Sequence, residues 1–434
     1  MAVVASPPAK SAPGQEIGNR AMSTYQDARL LPLGNGSQTT RAAIAKAIVR
    51  RVVERVDVRV RLADGQTIGA GGPDSPVLEL RSPEAFYRRL AQHPKIGIGD
   101  GYVTGEWQPA PGTDLADALV PFAARLDALI PRPLLALRGL ADSALPTHHR
   151  GTIENARTNI SAHYDLSNAL FAAFLDPSMT YSSALFAGAG QWRQQPLQEA
   201  QWRKIDRALD EAGVAPGSRV LEIGTGWGEL AIRAAARGAE VVSITLSAEQ
   251  QQLARERASA AGLSDRVDIR LQDYRDVAGE FDAIVSIEMI EAVGEEFWPD
   301  YFRAIDRLLA PGGRAVIQAI LMDHQRLLAT RHSHGWIQEY IFPGGLIPSL
   351  RAIDLVTGTH THLRRRATFS FGPHYAETLR RWRERFLATY DAIAGPGFDD
   401  QFKRRWEFYL AYCEAGFAAG YLDVAQLTFG KDQS

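Results

Sequence analysis

The sequence predicts an α/β fold: a Rossmann-like parallel sheet with helical insertions, preceded by a small α+β domain. Three observations predict it. Around residues 220–237 an apolar strand runs into alternating glycines and then a helix. Strand and helix patterns alternate from there to residue 319, as crossovers between parallel strands require. A period-two run at 56–62, followed by Asp64 and Gly65, marks a hairpin outside that alternation.

Taken in order, residues 1–40 are rich in Ala, Ser, Pro, Gly and Gln and read as disordered. A helix is expected at 41–55, strands at 56–62 and 77–81, and a helix at 84–92 that Ser82 caps and Pro83 opens. These belong to a small α+β domain, 41–145, and residues 146–151 read as a linker. Within 115–140, Leu115, Leu119, Phe122, Leu126, Leu129 and Ile130 recur near helical spacing. That stretch either covers the small domain's core or meets lipid or a second copy of the chain. Residues 146–434 form the main domain. Its strands are expected at 219–223, 240–245, 266–271, 281–287 and 313–319, and its helices at 229–237, 248–261 and 297–309. A β segment near 353–371 and then three aromatic-rich helices complete the chain.

Bulk properties narrow the function. The 434 residues suit two or three domains, and 45% hydrophobic with 23% charged residues is ordinary for a globular protein. A net charge of −2 gives no global attraction to nucleic acid or to a membrane, so any anionic partner must meet a local patch. Cys413 alone rules out an internal disulfide and suits a reducing cytoplasm, in a packing role. The N-terminus is too broken by proline for a signal segment, and no apolar run reaches the ~20 residues that span a bilayer. A soluble or peripheral protein is expected.

The most specific signal is the spacing Glu222, Gly224, Gly226, Gly228. Glycines there let backbone approach a ligand and turn into an electropositive helix N-terminus. The spacing is not the dinucleotide G-x-G-x-x-G, and no Gly-Lys-Ser/Thr follows to hold phosphates. It favours a nucleoside without a pyrophosphate, S-adenosylmethionine (SAM) above all; another nucleotide or a ligand-free turn are the alternatives. Beyond the second strand lie Thr245, Leu246 and Gln250, uncharged where a ribose-binding carboxylate is usual. Asp273 and Tyr274 follow the third strand and can meet an adenine amino group and ring face. Glu288 and Glu291 follow the fourth, three apart, and a carboxylate aimed into an apolar cleft is costly unless used. His332, His334, His360 and His362 lack accompanying carboxylate or cysteine spacing, so no metal is expected. The basic clusters 364–366, 380–385 and 403–405 read as solvated faces or, with a phospholipid substrate, as contacts to anionic headgroups.

The residues His163 to Leu166, Leu175 to Ser183, Val220 to Gly228, Leu246 to Gln250, Gln272 to Asp276, Ser286 to Gly294, Tyr340 to Gly345 and Phe371 to Trp382 resemble, in order, the cyclopropane-fatty-acyl-phospholipid synthase family. The resemblance runs from about 155 to 425, and residues 40–145 fit the N-terminal extension of its phospholipid-acting members. It implies a class I SAM-dependent methyltransferase, peripheral to the inner face of the membrane, that transfers the SAM methyl to a cis double bond of an acyl chain. The π-bond attacks the sulfonium methyl, and a bound bicarbonate takes a proton as the cyclopropane closes. Relatives of tuberculostearic type instead lose the proton after a hydride shift, and a flavin-dependent reductase completes a methyl branch.

Carried over by position, the resemblance implies SAM contacts at Tyr181, Ser182, Glu222, Gly224, Thr225, Gly226, Trp227, Gly228, Thr245, Leu246, Gln250, Asp273 and Tyr274. It places the bicarbonate against Ser183, Glu291, Gln318, Ile320 and Tyr375. Serine replaces cysteine at 183, and glutamine replaces histidine at 318, which removes a titratable group and leaves the product open between ring and branch. Tyr164, Phe171, Tyr181, Phe342 and Tyr375 are the candidate faces for a passing cation.

Overall fold

The computed structural model describes residues 39–126, 168–188, 190–395 and 397–431. The expected disorder before residue 39, the linker at 146–151, the apolar stretch beyond 126 and Tyr164 lie outside the described residues.

Helix α1 (Thr39–Val53) leads into a four-stranded sheet of order β2-β1-β3-β4, made of β1 (Arg59–Leu62), β2 (Thr67–Ile68), β3 (Val77–Leu80) and β4 (Trp107–Pro109). The predicted hairpin joins β1 to β2: Gly65 sits at φ +85°, and Asp64 Oδ1 accepts from the Gln66 amide at 2.9 Å. Helices α2 (Pro83–Gln92), α3 (Gly97–Val103) and α4 (Leu115–Ala123) surround this sheet. Asp114 caps α4, accepting from the amides of Ala116 and Asp117.

The main sheet has seven strands. Five are parallel and in the expected places: β5 (Arg219–Ile223), β6 (Glu240–Thr245), β7 (Val267–Leu271), β8 (Phe281–Ile287) and β9 (Leu309–Met322). After α5 (Asn168–Phe174) and α6 (Leu197–Glu211), helices α7 (Glu229–Ala236), α8 (Ala248–Ala260) and α9 (Trp298–Leu308) make the crossovers. Short helices α10 (His324–Thr330) and α11 (Trp336–Tyr340) follow β9.

Two expectations are corrected beyond residue 320. The region near 353–371 begins as helix α12 (Leu350–His360) and becomes strand β10 only at Leu363–Ser370. Its Ile, Val and Thr residues suggest a strand, but Ser349 caps the helix and buried Ala352, Ile353 and Thr357 form its inward stripe. The aromatic C-terminal segment holds two long helices, α13 (Gly372–Thr389) and α14 (Asp400–Ala418), and ends in a strand, β11 (Leu422–Lys431). β11 inserts antiparallel between β9 and β10, so the sheet is mixed, in the order β10-β11-β9-β8-β5-β6-β7.

The N-terminal sheet packs on the C-terminal helices through one aromatic-rich core. Buried Arg383 of α13 reaches both Asp114 and Glu414. Arg404 donates to the Tyr102 carbonyl, and the Tyr102 hydroxyl donates to Glu407 at 2.8 Å. Arg365 is likewise tied to Asp354, and Arg381 to Glu377, so these members of the basic clusters serve the fold. Cys413 packs in α14 among the aromatic core, with burial pushing its thiol up to about 12. Among the described residues, no helix is long and apolar enough to cross a membrane.

Candidate active site

β5 lies between β6 and β8, where strand order reverses, and a cleft opens beyond the carboxyl ends of these strands. The glycine turn forms its floor. Gly224, Gly226 and Gly228 adopt φ of +98°, +51° and +89°, which side chains disfavour. Gly226 has open space where a side chain would stand, so backbone lines the cleft there. Gly228 does something else. It sits at the N-cap of α7, between the cleft-lining Trp227 and Glu229, and a Cβ there would stand 2.9 Å from that of Ala254 in α8. Close helix packing explains the need for glycine there.

The other twelve residues expected to touch SAM line this one cleft. Their local bonding varies. Ser243 Oγ lies 2.6 Å from Glu222 Oε2 and 2.7 Å from Thr225 Oγ1, which fixes the carboxylate at the end of β5. Burial pushes Glu222 up to about 8, against the Ser243 hydrogen bond and the Lys204 charge. Thr245 Oγ1 donates to Gln250 Oε1 at 2.9 Å, so these two neutral groups form one polar edge. Asp273 is held by Arg275 at 2.8 Å on both carboxylate oxygens. The ring of Tyr274 stands edge-on to Tyr301, 5.6 Å between centroids.

Aromatic side chains pack beside the cleft, which Tyr181 and Trp227 line directly. Phe171 meets Trp227 at 4.9 Å and Tyr181 at 5.2 Å; Tyr181 in turn meets Trp382 at 5.2 Å. The hydroxyls of Tyr181 and Tyr409 are 2.6 Å apart, and Phe342 stands edge-on to Tyr409. Tyr375 packs on Phe417 at 4.5 Å and joins the set through Trp382. Phe171, Tyr181, Phe342 and Tyr375 are therefore brought together. Trp382 and Tyr409 belong with them and were missed, because aromatics at helical spacing in 372–418 read as core.

The five positions expected around an anion separate into two groups. The Ser183 amide donates to Glu288 Oε1 at 2.9 Å, Gln318 Nε2 donates to the same oxygen at 2.7 Å, and the Tyr375 hydroxyl donates to Glu288 Oε2 at 2.7 Å. The Ile320 amide donates instead to Glu291 Oε1 at 2.5 Å. Glu291 Oε2 is buried without a hydrogen-bond partner, and Glu291 does not line the cleft, whereas Glu288 does. Burial, and then the neighbouring Glu288 charge, push Glu291 up to about 8 and keep it protonated at neutral pH. Glu288 is also raised by burial, but the Lys204 charge and the three donors oppose that. The two buried carboxyls therefore do not titrate independently, since the Glu288 charge raises Glu291.

Each donor is placed by the fold. The Ala184 amide donates to Thr378 Oγ1 and the Phe186 amide to His374 Nδ1, which locks residues 183–186 onto α13 and aims the Ser183 N–H. Gln318 pairs across the sheet with Gln426 of β11, whose Nε2 donates to Gln318 Oε1 at 3.1 Å. That bond turns the Gln318 amide nitrogen toward Glu288. Glu288 itself has φ +50°, a left-handed conformation that costs a non-glycine residue about 1–3 kcal/mol and points to a constrained site.

Sequence reasoning also missed Lys204. This fully buried residue of α6 lines the cleft and donates to Ser182 Oγ at 2.5 Å. Burial lowers its ammonium to about 8, opposed by the charges of Glu288, Asp176 and Glu222. One lysine inside an amphipathic helix carries no local signal. Three of the four histidines take side-chain partners: His334 sits against Glu339, His362 against Asp306 and His360 against Arg303. No group of three metal-ligating side chains converges among the described residues.

Comparison with known proteins identifies the family. The profile of the mycolic acid cyclopropane synthetase family matches residues 152–427. The tuberculostearic acid methyltransferase UfaA1 of Mycobacterium tuberculosis is 53% identical over 396 residues, 90% of this chain and 92% of that protein. The cyclopropane-fatty-acyl-phospholipid synthase of Escherichia coli K12 is 34% identical over 378 residues, 84% of this chain and 90% of its own. Among solved structures, the mycolic acid cyclopropane synthase CmaA1 complexed with SAH and CTAB superposes with a TM-score of 0.56 at 32% identity. That match covers 63% of this chain and 98% of CmaA1.

Proposed function

The chain belongs to the mycolic acid cyclopropane synthetase family and is a SAM-dependent methyltransferase acting in fatty acid modification; from that premise we propose that it alkylates the cis double bond of an unsaturated acyl chain in a phospholipid and resolves the cation into a mid-chain methylene or methyl branch. The identity of 53% to a tuberculostearic acid methyltransferase, sustained over nine-tenths of both chains, carries this reading. Cyclopropane closure by the same cation is the second reading, favoured by the family profile and the synthase at 34% identity.

The cleft suits SAM in its donor set. Glycine-turn backbone and the α7 N-terminus take the polar end of the ligand, with Glu222 available to its amino group and Thr245, Gln250, Asp273 and Tyr274 to its nucleoside. The aromatic cluster from Phe171 to Tyr375 keeps the surroundings of the cleft apolar, against water that would trap a cation as an alcohol, and Tyr181 and Trp227 bring rings to the cleft itself. The alkene attacks the sulfonium methyl, the carbon–sulfur pair stays with sulfur, and the new carbon–carbon bond leaves a cation on the neighbouring carbon. Loss of a proton after a hydride shift gives the methylene; loss of one directly closes the ring. A methyl branch needs a hydride from a separate flavin-dependent reductase and a proton from solvent. Residues 41–145 are assigned to the approach to phospholipid; helices α3 and α4 in their described part pack on α14.

Mass spectrometry of fatty acids from cells expressing the chain tests the reading. Monoenoic acids one CH2 heavier, with fragmentation locating a mid-chain methylene, are expected. Acyl chains identical to those of empty-vector cells overturn it.

A further inference from the structure

A carboxylate of the chain itself occupies the place where the resemblance puts bicarbonate. Ser183 N–H, Gln318 Nε2 and Tyr375 O–H are spent on the two oxygens of Glu288, at 2.9, 2.7 and 2.7 Å. The fourth expected donor, the Ile320 amide, is spent on Glu291. Bicarbonate does not fit a donor set already satisfied in this way. All three groups on Glu288 donate, which is the arrangement an ionised, acceptor-only carboxylate requires. The Gln426 to Gln318 hydrogen bond presents the amide's donor end to it, not its acceptor end.

We propose that Glu288 is the base that takes the proton from the alkylated acyl cation, so that turnover requires no bicarbonate. The proposal rests on the alkene-alkylation reading above. In the step, a C–H bond of the transferred methyl breaks, after the hydride shift for the methylene or without it for the ring, and its proton passes to a Glu288 oxygen. The C–H electron pair becomes the second bond of the methylene, or the closing bond of the ring. Glu288 returns its proton to solvent once the product leaves. Three features support it. Glu288 lines the same cleft as the glycine turn, beside Met289, which lies 3.4 Å from where a Gly224 Cβ would stand. Its left-handed backbone turns its side chain toward Ser183, Gln318 and Tyr375 at a conformational cost a surface-like glutamate would not bear. The groups facing it are the Lys204 ammonium, which favours its charged form, the Tyr375 phenol, held neutral by burial, and Glu291, held as the acid.

The test uses purified full-length protein, SAM and vesicles of a monounsaturated phospholipid. Wild-type turnover in buffer stripped of carbon dioxide should match turnover with added bicarbonate. A rate that collapses on stripping and returns with bicarbonate overturns the proposal. Glu288→Gln should lose about 10²–10⁴-fold in kcat, the usual contribution of a general base, with SAM affinity retained. Glu288→Gly should fold, because glycine accepts φ +50°, and thermal melting checks this. By ¹³C NMR, labelled bicarbonate should bind the glycine variant and not the wild type, and should restore part of the variant's rate. Bicarbonate bound by the wild type, or a glycine variant as fast as wild type without it, overturns the assignment. If wild type alkylates no acyl chain with or without bicarbonate, the functional reading fails, while the binding measurement still decides what those donors hold.

Discussion

The end of the cleft at the β5–α7 turn is made by one short stretch of chain, whereas the end around Glu288 draws on four. At the first, Glu222, Gly224, Thr225 and Gly226 follow one another, and backbone does most of the work. At the second, Ser183, Glu288, Gln318 and Tyr375 come from a loop, a strand end, a neighbouring strand and a helix. Local geometry builds a cofactor cradle, but a catalytic charge in apolar surroundings needs donors recruited from across the fold. Substitutions at the first end should therefore change SAM affinity, and those at the second should change kcat.

Breaking this division is possible in a graded series. After Glu288→Gln, the largest effect should come from Gly226→Val, which forces a β-branched residue to φ +51° at the loop that faces the ligand. Strain of about 1–3 kcal/mol predicts SAM binding weakened about 10- to 100-fold by calorimetric titration. Unchanged SAM affinity would show that the turn does not hold the ligand. Tyr375→Phe removes one donor from Glu288 and should lower kcat roughly tenfold or more, with SAM affinity preserved. Equal losses in both would merge the two ends into one. Glu291→Gln keeps a neutral side chain and should leave kcat within about tenfold of wild type; a loss as deep as that of Glu288→Gln would transfer the base to Glu291.

The smallest effect is on stability. Glu291 has a carboxyl raised from the usual range to about 8, so the folded protein holds a proton there that the unfolded chain has released. The stability this provides is complete below the ordinary glutamate value and is lost as pH rises to about 8. Melting temperatures of Glu291→Gln should therefore fall less than those of wild type between those limits. Parallel curves would show that Glu291 is ionised in the folded state.

The same contrast explains what the sequence made legible. The glycine turn, the five parallel strands and the cleft residues on them follow from local spacing, and the structure places them as expected. Spacing alone does not reveal that Gly228 also admits a neighbouring helix. At the second end the residues themselves pointed to Glu288 and Glu291, and family resemblance added Ser183, Gln318 and Tyr375 and set Glu291 among them. Glu288 differs from Glu291 in a backbone angle that no periodicity reports. Lys204 and Gln426 had no signal, since each acts through a tertiary neighbour: Ser182 for one, Gln318 for the other. The terminal strand β11 was missed although Gly420, at φ +65°, stops α14 just before its apolar run.

The most direct measurement follows the methyl group itself. Purified protein is given SAM with a CD3 methyl group and vesicles of a monounsaturated phospholipid, and the recovered acyl chains are analysed by mass spectrometry. Alkylation of a buried alkene followed by proton loss predicts chains that retain the transferred carbon as CD2. Deuterium appearing only in a water-soluble methylated product, with the acyl chains unlabelled, would contradict it.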